Sequence, residues 1–248
     1  MASHWLSVNF HMKSVLVFRF SPTEEPGYLE TFLNERGIHW QLIKLDEGEP
    51  VPAFSQKVAA VALMGGPMSV NDDLSWRDPI VSFIQAAVAA DAPVIGHCLG
   101  GQFLAKALGA EVTDNACWEV GWGEVTTEDA AAAEWFGGLE KFDVFHWHYQ
   151  TFGIPAGAKR VMRSQYCENQ AYVFNGLHIG FQCHIEMTEA MVKKWCEDSK
   201  DDLDAMSMSK SVMTKQQILS DVSKRVAGLN RLAKSVYQRW IANARLDS

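Results

Sequence analysis

The sequence has little cysteine, no paired cysteine motif, no long apolar run and no block of basic residues. Its five cysteines, Cys98, Cys117, Cys167, Cys183 and Cys196, are scattered through 248 residues without a C-x-x-C pair. That pattern offers neither a zinc ribbon nor a disulfide framework, and an odd count points to free thiols. The apolar stretches, such as residues 58–64, fall far short of the roughly 20 residues that a bilayer-spanning helix needs. Asn9, His11 and Lys13 interrupt the amino terminus, so no secretion signal is read there. With 22 Lys+Arg against 30 Asp+Glu the formal net charge is −8. An acidic surface repels phosphate backbones and anionic lipids. The expectation is therefore a cytoplasmic chain with no nucleic acid and no membrane as partner, acting on small molecules.

What is present is a globular composition, 48% apolar and 21% charged, long enough to bury a core without covalent staples. Residues 14–20 (SVLVFRF) and 58–64 (VAAVALM) are continuous apolar runs, and residues 92–97 (APVIGH) form a third. Between them, residues 26–37 carry apolar side chains at 28, 29, 32 and 33 and end on Gly37, and residues 79–90 read as a second helix. Buried strands alternating with helices predict a mostly parallel sheet with helices on both faces. From 111 to about 175 the segments shorten and Gly, Asp and Pro intervene, which reads as antiparallel excursions. Residues 177–182 read as a last core strand. Beyond 188 the pattern is helical: residues 189–196, then 215–244 with Ile218, Val222, Val226, Leu229, Leu232, Val236 and Trp240 at steps of three or four. The division expected is a domain over 12–190 and a helical extension over 191–248 packed on it. The first eleven residues fit no element, so the native chain is expected to start at Met12.

Three segments carry chemistry. In Gly96-His-Cys-Leu-Gly-Gly-Gln102 a cysteine stands on the turn between a predicted strand and a predicted helix over 102–108. Such a turn holds Cys98 in a strained, exposed position, and the helix amino terminus favours thiolate over thiol and can hold an oxyanion. In Gly180-Phe-Gln-Cys-His-Ile-Glu186 a strand ends in a His and a Glu two apart. In an extended chain these side chains share a face, so Glu186 can orient His184 while the other imidazole nitrogen meets a nucleophile. Cys183 then points to the opposite face and reads as core. The third segment, residues 63–72 (LMGGPMSVND), follows a strand, and the backbone N–H of Gly66 is a candidate to join that of Leu99 in an oxyanion hole. His146 and His148 flank Trp147 and offer another candidate base; they are read as residues at the mouth of the site or, equally, as structural residues. Trp118, Trp122, Trp135 and Trp147 read as packing material or as the floor of an acceptor pocket.

Taken in order, GGPMSVNDD at 65–73, GHCLGGQ at 96–102, GWGEV at 121–125, HWHYQTFGIPAGA at 146–158, ENQA at 168–171 and FQCHIE at 181–186 resemble the class I glutamine amidotransferase domain. The resemblance is nearest to free-standing proteins related to the amidotransferase part of GMP synthase. It implies an α/β, flavodoxin-like, doubly wound fold. It also implies Cys98 as nucleophile, His184 as base and acid, Glu186 as its orienter, and Gly66 and Leu99 as oxyanion donors. Gln102 and the backbone near Asn169, Gln170, Ala171 and Tyr172 would hold the α-amino and carboxylate groups of glutamine. No metal and no organic cofactor is implied. The partners implied are glutamine or another γ-glutamyl small molecule and a separate ammonia-accepting synthetase. Two departures stand out. Ile185 replaces a usual proline, which is expected to loosen the His184 loop, and His97 replaces a usual aliphatic residue. A γ-glutamyl peptidase with the same triad, and a weakly active binding module, are the competing readings.

Overall fold

The computed structural model of the chain describes residues 13–199, 203 and 209–246; the expected start at Met12 lies outside the described residues. The strands are β1 (Ser14–Arg19), β2 (Trp40–Lys44), β3 (Val58–Leu63), β4 (Val94–His97), β5 (Val112–Thr127), β6 (Lys141–Phe152), β7 (Lys159–Ser164), β8 (Ala171–Phe174) and β9 (His178–Phe181). They form one sheet in the order β2-β1-β3-β4-β9-β8-β7-β5-β6. The first five in that order run parallel, and β8, β7, β5 and β6 continue antiparallel. The helices are α1 (Tyr28–Glu35), α2 (Arg77–Ala89), α3 (Leu99–Ala107), α4 (Ala130–Phe136), α5 (Glu189–Asp198), α6 (Lys215–Leu219) and α7 (Val222–Ile241).

Strand periodicity divides the core in two. Val15 and Val17 of β1 and Ala60 and Ala62 of β3 face one apolar cluster, which α1, α4, α5 and α7 close. Leu16 and Phe18 of β1 and Val61 and Leu63 of β3 face the other, closed by α2 and α3. Strands buried on both faces must be apolar at every position, which is why their sequences run without alternation. The fold is thus a mixed α/β sheet of nine strands with helices on both faces.

Several elements differ from the sequence reading; α3 starts at Leu99 rather than at 102, and β5 and β6 are long where short segments were expected. Strand β2 was not expected, because its WQLIK side chains are only partly buried at the sheet edge. The single helix expected over 215–244 is two, since Asp221 between them takes φ 53°, a left-handed conformation that helices do not propagate. The apolar stripe itself is buried from Ile218 to Trp240, and α7 packs on α1, α4 and α5. Its Tyr237 hydroxyl lies 3.2 Å from His97 Nε2, so His97 faces this packing layer. Among the described residues no helix is long and apolar enough to cross a membrane.

The parallel strands position the site. Leu63 pairs with Gly96, and His97 with Phe181, so β3, β4 and β9 end level at their carboxyl ends, where ligands of such sheets gather. Helix α3 sits directly on those ends. A Cβ on Gly100 would fall 2.3 Å from the Leu63 carbonyl oxygen, and one on Gly101 would fall 2.3 Å from that of Phe181. Backbone cannot yield as a flexible side chain does. Gly100→Ala should therefore lower unfolding stability by about 1–3 kcal/mol, as overpacking does; a denaturant midpoint equal to the native one would contradict this close approach.

Candidate active site

Cys98 lies between the end of β4 and the start of α3 with φ 49° and ψ −108°, the strained turn that the glycine spacing predicts, but it is buried, at 7% exposure, where an exposed position was expected. It lines a cavity of about 130 Å³ together with Thr23, Glu24, Gly66, Trp147 and Trp195. A larger groove of about 710 Å³ runs beside α7, but its lining carries neither cysteine nor histidine. The chemistry therefore concentrates in the smaller space.

His184 and Glu186 follow β9. The main chain there is clamped: His184 N–H donates to the Phe145 carbonyl and Tyr28 N–H to that of Glu186, both at 2.8 Å. Ile185 is fully buried in the same apolar cluster as Phe145 and Trp195. The loosening expected from its replacing a proline is not seen, because core packing and these two bonds fix the segment. His184 Nδ1 lies 2.6 Å from Glu186 Oε1, so Nδ1–H donates to the carboxylate and Nε2 is left for Cys98, whose sulfur acts electrostatically on the ring. Burial opposes charge on this imidazole, but Glu186 and the Cys98 sulfur outweigh it and raise its pKa well above the usual value. Burial likewise opposes the Glu186 carboxylate, and His184 overcomes it and lowers its pKa. The Trp195 ring stands edge-on to His184 at 4.9 Å and 88° and donates its Nε1–H to the Thr23 carbonyl at 2.8 Å.

Gly66 and Leu99 abut: a Cβ on Gly66 would meet Leu99 Cδ2 at 2.6 Å. Leu99 is the first residue of α3, where N–H groups have no intrahelical acceptor. Gln102, buried one turn on, donates through Nε2 to Gln182 Oε1 at 3.1 Å. Gln182 in turn directs its own Nε2 to Cys98 Sγ at 3.6 Å. The residues at 169–172 are spent differently. Asn169 Nδ2 donates to the Phe152 carbonyl at 2.8 Å, and Gln170 Nε2 donates to Glu119 Oε2 at 2.7 Å. Gln170 N–H and C=O are held by Met162 and Gln182. Ala171 pairs with Phe181, and the Tyr172 hydroxyl donates to the Gly101 carbonyl at 3.0 Å, beneath α3.

Two histidines lie elsewhere than expected. His146 and His148 are buried, at 2% and 4% exposure, and do not open on the cavity mouth. His148 Nε2 is 3.1 Å from Glu119 Oε2, inside a polar cluster that Ser164 and Gln170 complete. Burial pushes His146 down to about 4. They point inward because β6 is covered on both sides, which alternation alone does not reveal. Of the four tryptophans only Trp147 lines the cavity; Trp122 and Trp135 are core, and Trp118 is 39% exposed. Cys183 is fully buried in the core, as expected.

Glu24 and Gln182 were given no role in the sequence reading. Gln182 was legible from its place two residues before His184, and its side chain reaches the same Cys98 sulfur. Glu24 carries a weaker signal, its place just beyond the carboxyl end of β1.

The fold and site define an α/β protein whose central strand ends carry a thiol, an imidazole and a carboxylate together, the last two hydrogen-bonded. The profile of the glutamine amidotransferase class-I family matches residues 29–195, and the chain belongs to that family. The crystal structure of a glutamine amidotransferase from Methylobacillus flagellatus is similar, with 45% identity, a TM-score of 0.93, and coverage of 96% of this chain and 97% of that one. The glutamine amidotransferase-like protein YfeJ of Salmonella typhimurium is 28% identical, over 73% of this chain and 78% of its own. A glutamine-hydrolysing GMP synthase of Photobacterium profundum is 29% identical over 73% of this chain, and the match spans only 35% of that longer enzyme.

Proposed function

We propose that the protein hydrolyses the side-chain amide of glutamine, with Cys98 as nucleophile, His184 as general base and acid, and Glu186 as its orienter. The observation that carries this reading is the Cys98–His184–Glu186 series on a strained turn at the level strand ends. In the reaction, Cys98 Sγ attacks the δ-carbonyl. The N–H groups of Gly66 and Leu99 hold the resulting oxyanion, and His184 delivers a proton to the nitrogen as the C–N bond breaks. Water then resolves the γ-glutamyl thioester to glutamate, again through His184. Liberated ammonia goes to a separate synthetase or to solvent, and no metal or organic cofactor is assigned to these steps.

Glutamine as substrate is favoured by the relative whose name states glutamine hydrolysis and by a cavity of about 130 Å³, which suits a small side chain. The test incubates the pure protein with glutamine and with a γ-glutamyl peptide panel, measuring ammonia, released amine and glutamate. Ammonia and glutamate in equal amounts from glutamine are expected. Turnover of peptides alone would instead make the protein a γ-glutamyl peptidase. Inertness toward all of them would leave a binding module.

A further inference from the structure

Glu24 is a buried carboxyl for which the proposed reaction has no use so far. It is 9% exposed, its Oε2 has no hydrogen-bond partner, and it lines the cavity into which Cys98 opens. A carboxylate oxygen of Glu24, a ring nitrogen of His184 and a carboxylate oxygen of Glu186 all lie within 4.8 Å of one another. A Cβ on Gly65 would fall 2.4 Å from Glu24 Oε2 and 3.0 Å from His184 Cε1. The absence of a side chain at Gly65 thus lets the carboxyl reach the edge of the imidazole. The peptide group that precedes the Glu24 side chain is held at both its polar atoms, the Glu24 N–H donating to the Ser21 carbonyl at 3.1 Å and the Thr23 carbonyl accepting from Trp195.

A buried acceptor without a donor costs stability, and folded chains rarely leave one so. Its donor is then expected from a ligand. A primary amide brings an oxygen, for which Gly66 and Leu99 supply donors, and a nitrogen with two N–H groups, for which the reaction above supplies no acceptor. That nitrogen must face His184, because the ring protonates it, and Glu24 stands at the edge of that ring.

We propose that Glu24 is the leaving-group residue of this site: its carboxylate accepts a hydrogen bond from the scissile amide nitrogen and selects leaving groups that carry N–H over those that depart as alcohols. This rests on the reading of the Cys98 site given above. When the tetrahedral intermediate collapses, the C–N bond breaks with its electron pair on nitrogen. The proton from His184 Nε2 completes ammonia, and Glu24 holds its N–H groups. Burial pushes the Glu24 carboxyl up to about 7, with His184 opposing and Glu186 reinforcing the rise. The titratable groups that face it are His184 and Glu186 beyond β9, Cys98 ahead of α3, and Asp198 of α5. Since the carboxylate is the working form, kcat/KM for glutamine rises with pH through about 7.

The test compares glutamine with glutamate γ-methyl ester, which gives the same thioester but releases methanol. In the native protein the ionisation near 7 is expected in the glutamine profile and not in the ester profile. Glu24→Gln should lower kcat/KM for glutamine roughly tenfold to a hundredfold more than for the ester, the range of a hydrogen bond to a charged group, and should erase that ionisation. Equal losses on both substrates, or identical native profiles, overturn the assignment. An electrophilic glutamine analogue separates the two readings. Label on Cys98 in both proteins without a selective loss sinks the role of Glu24 alone, whereas neither label nor turnover in the native protein sinks both.

Discussion

Cys98→Ala is expected to abolish glutamine hydrolysis while leaving the fold intact. Removing the nucleophile of a hydrolytic triad costs on the order of 10⁶ in kcat, because the covalent route disappears and only binding and oxyanion contacts remain. Three of the other four thiols are in no state to take over. Burial pushes Cys167 and Cys196 each up to about 11 and raises Cys183 well above its ordinary value, so none of these is an available nucleophile near neutrality. Structurally the change is mild, since alanine at φ 49° carries the same Cβ as cysteine. The thermal midpoint should therefore stay near that of the native protein while ammonia release falls to background. Steady-state assay beside a melting curve checks both halves, and substantial hydrolysis by a folded Cys98→Ala protein would remove the nucleophile from the account.

Glu186→Gln should be nearly as damaging, through a different route. The carboxylate accepts from His184 Nδ1 at 2.6 Å and so leaves Nε2 free to take the Cys98 proton. A carboxamide can present N–H to Nδ1 instead, which favours the tautomer with its proton on Nε2 and blocks the base. The expected loss in kcat is about 10⁴, the scale seen when an orienting carboxylate becomes an amide. The sign of the electrostatic change follows from the native balance. Burial opposes the imidazolium, and the Glu186 charge is the leading effect against it. Without that charge His184 titrates at lower pH. KM should change little, because Glu186 lies behind the imidazole and does not reach substrate. A variant with unchanged kcat and a raised KM would make Glu186 a binding residue instead.

Much of this was legible in the sequence, for identifiable reasons. Strands β1 and β3 are buried on both faces, so their composition is nearly continuous Val, Leu, Ala and Phe, and no partner strand need be known to read them. Strand β2 escaped because an edge strand with Gln41 and Lys44 is only half apolar. The long β5 and β6 pair reads as shorter pieces because its register shifts between Asp114 and Glu119 and because Gly121 and Gly123 interrupt the apolar pattern. The break at Asp221 is a backbone event at a residue that helices also tolerate. At the site, the turn around Cys98 announces itself because glycine is required wherever α3 touches the strand ends. The His184 and Glu186 pair announces itself through the period of an extended chain. Glu24 and the inward direction of His146 and His148 depend on what tertiary packing brings against each strand end, and local spacing carries no record of that.

The most direct test of the central claim is the site of covalent capture. The native protein is treated with an electrophilic glutamine analogue, excess glutamine is added to a parallel sample as competitor, and the modified cysteine is located by peptide mass spectrometry. A single adduct on Cys98, suppressed by glutamine, is the predicted result. An adduct confined to Cys117, or glutamine turnover that continues with Cys98 fully modified, would contradict it.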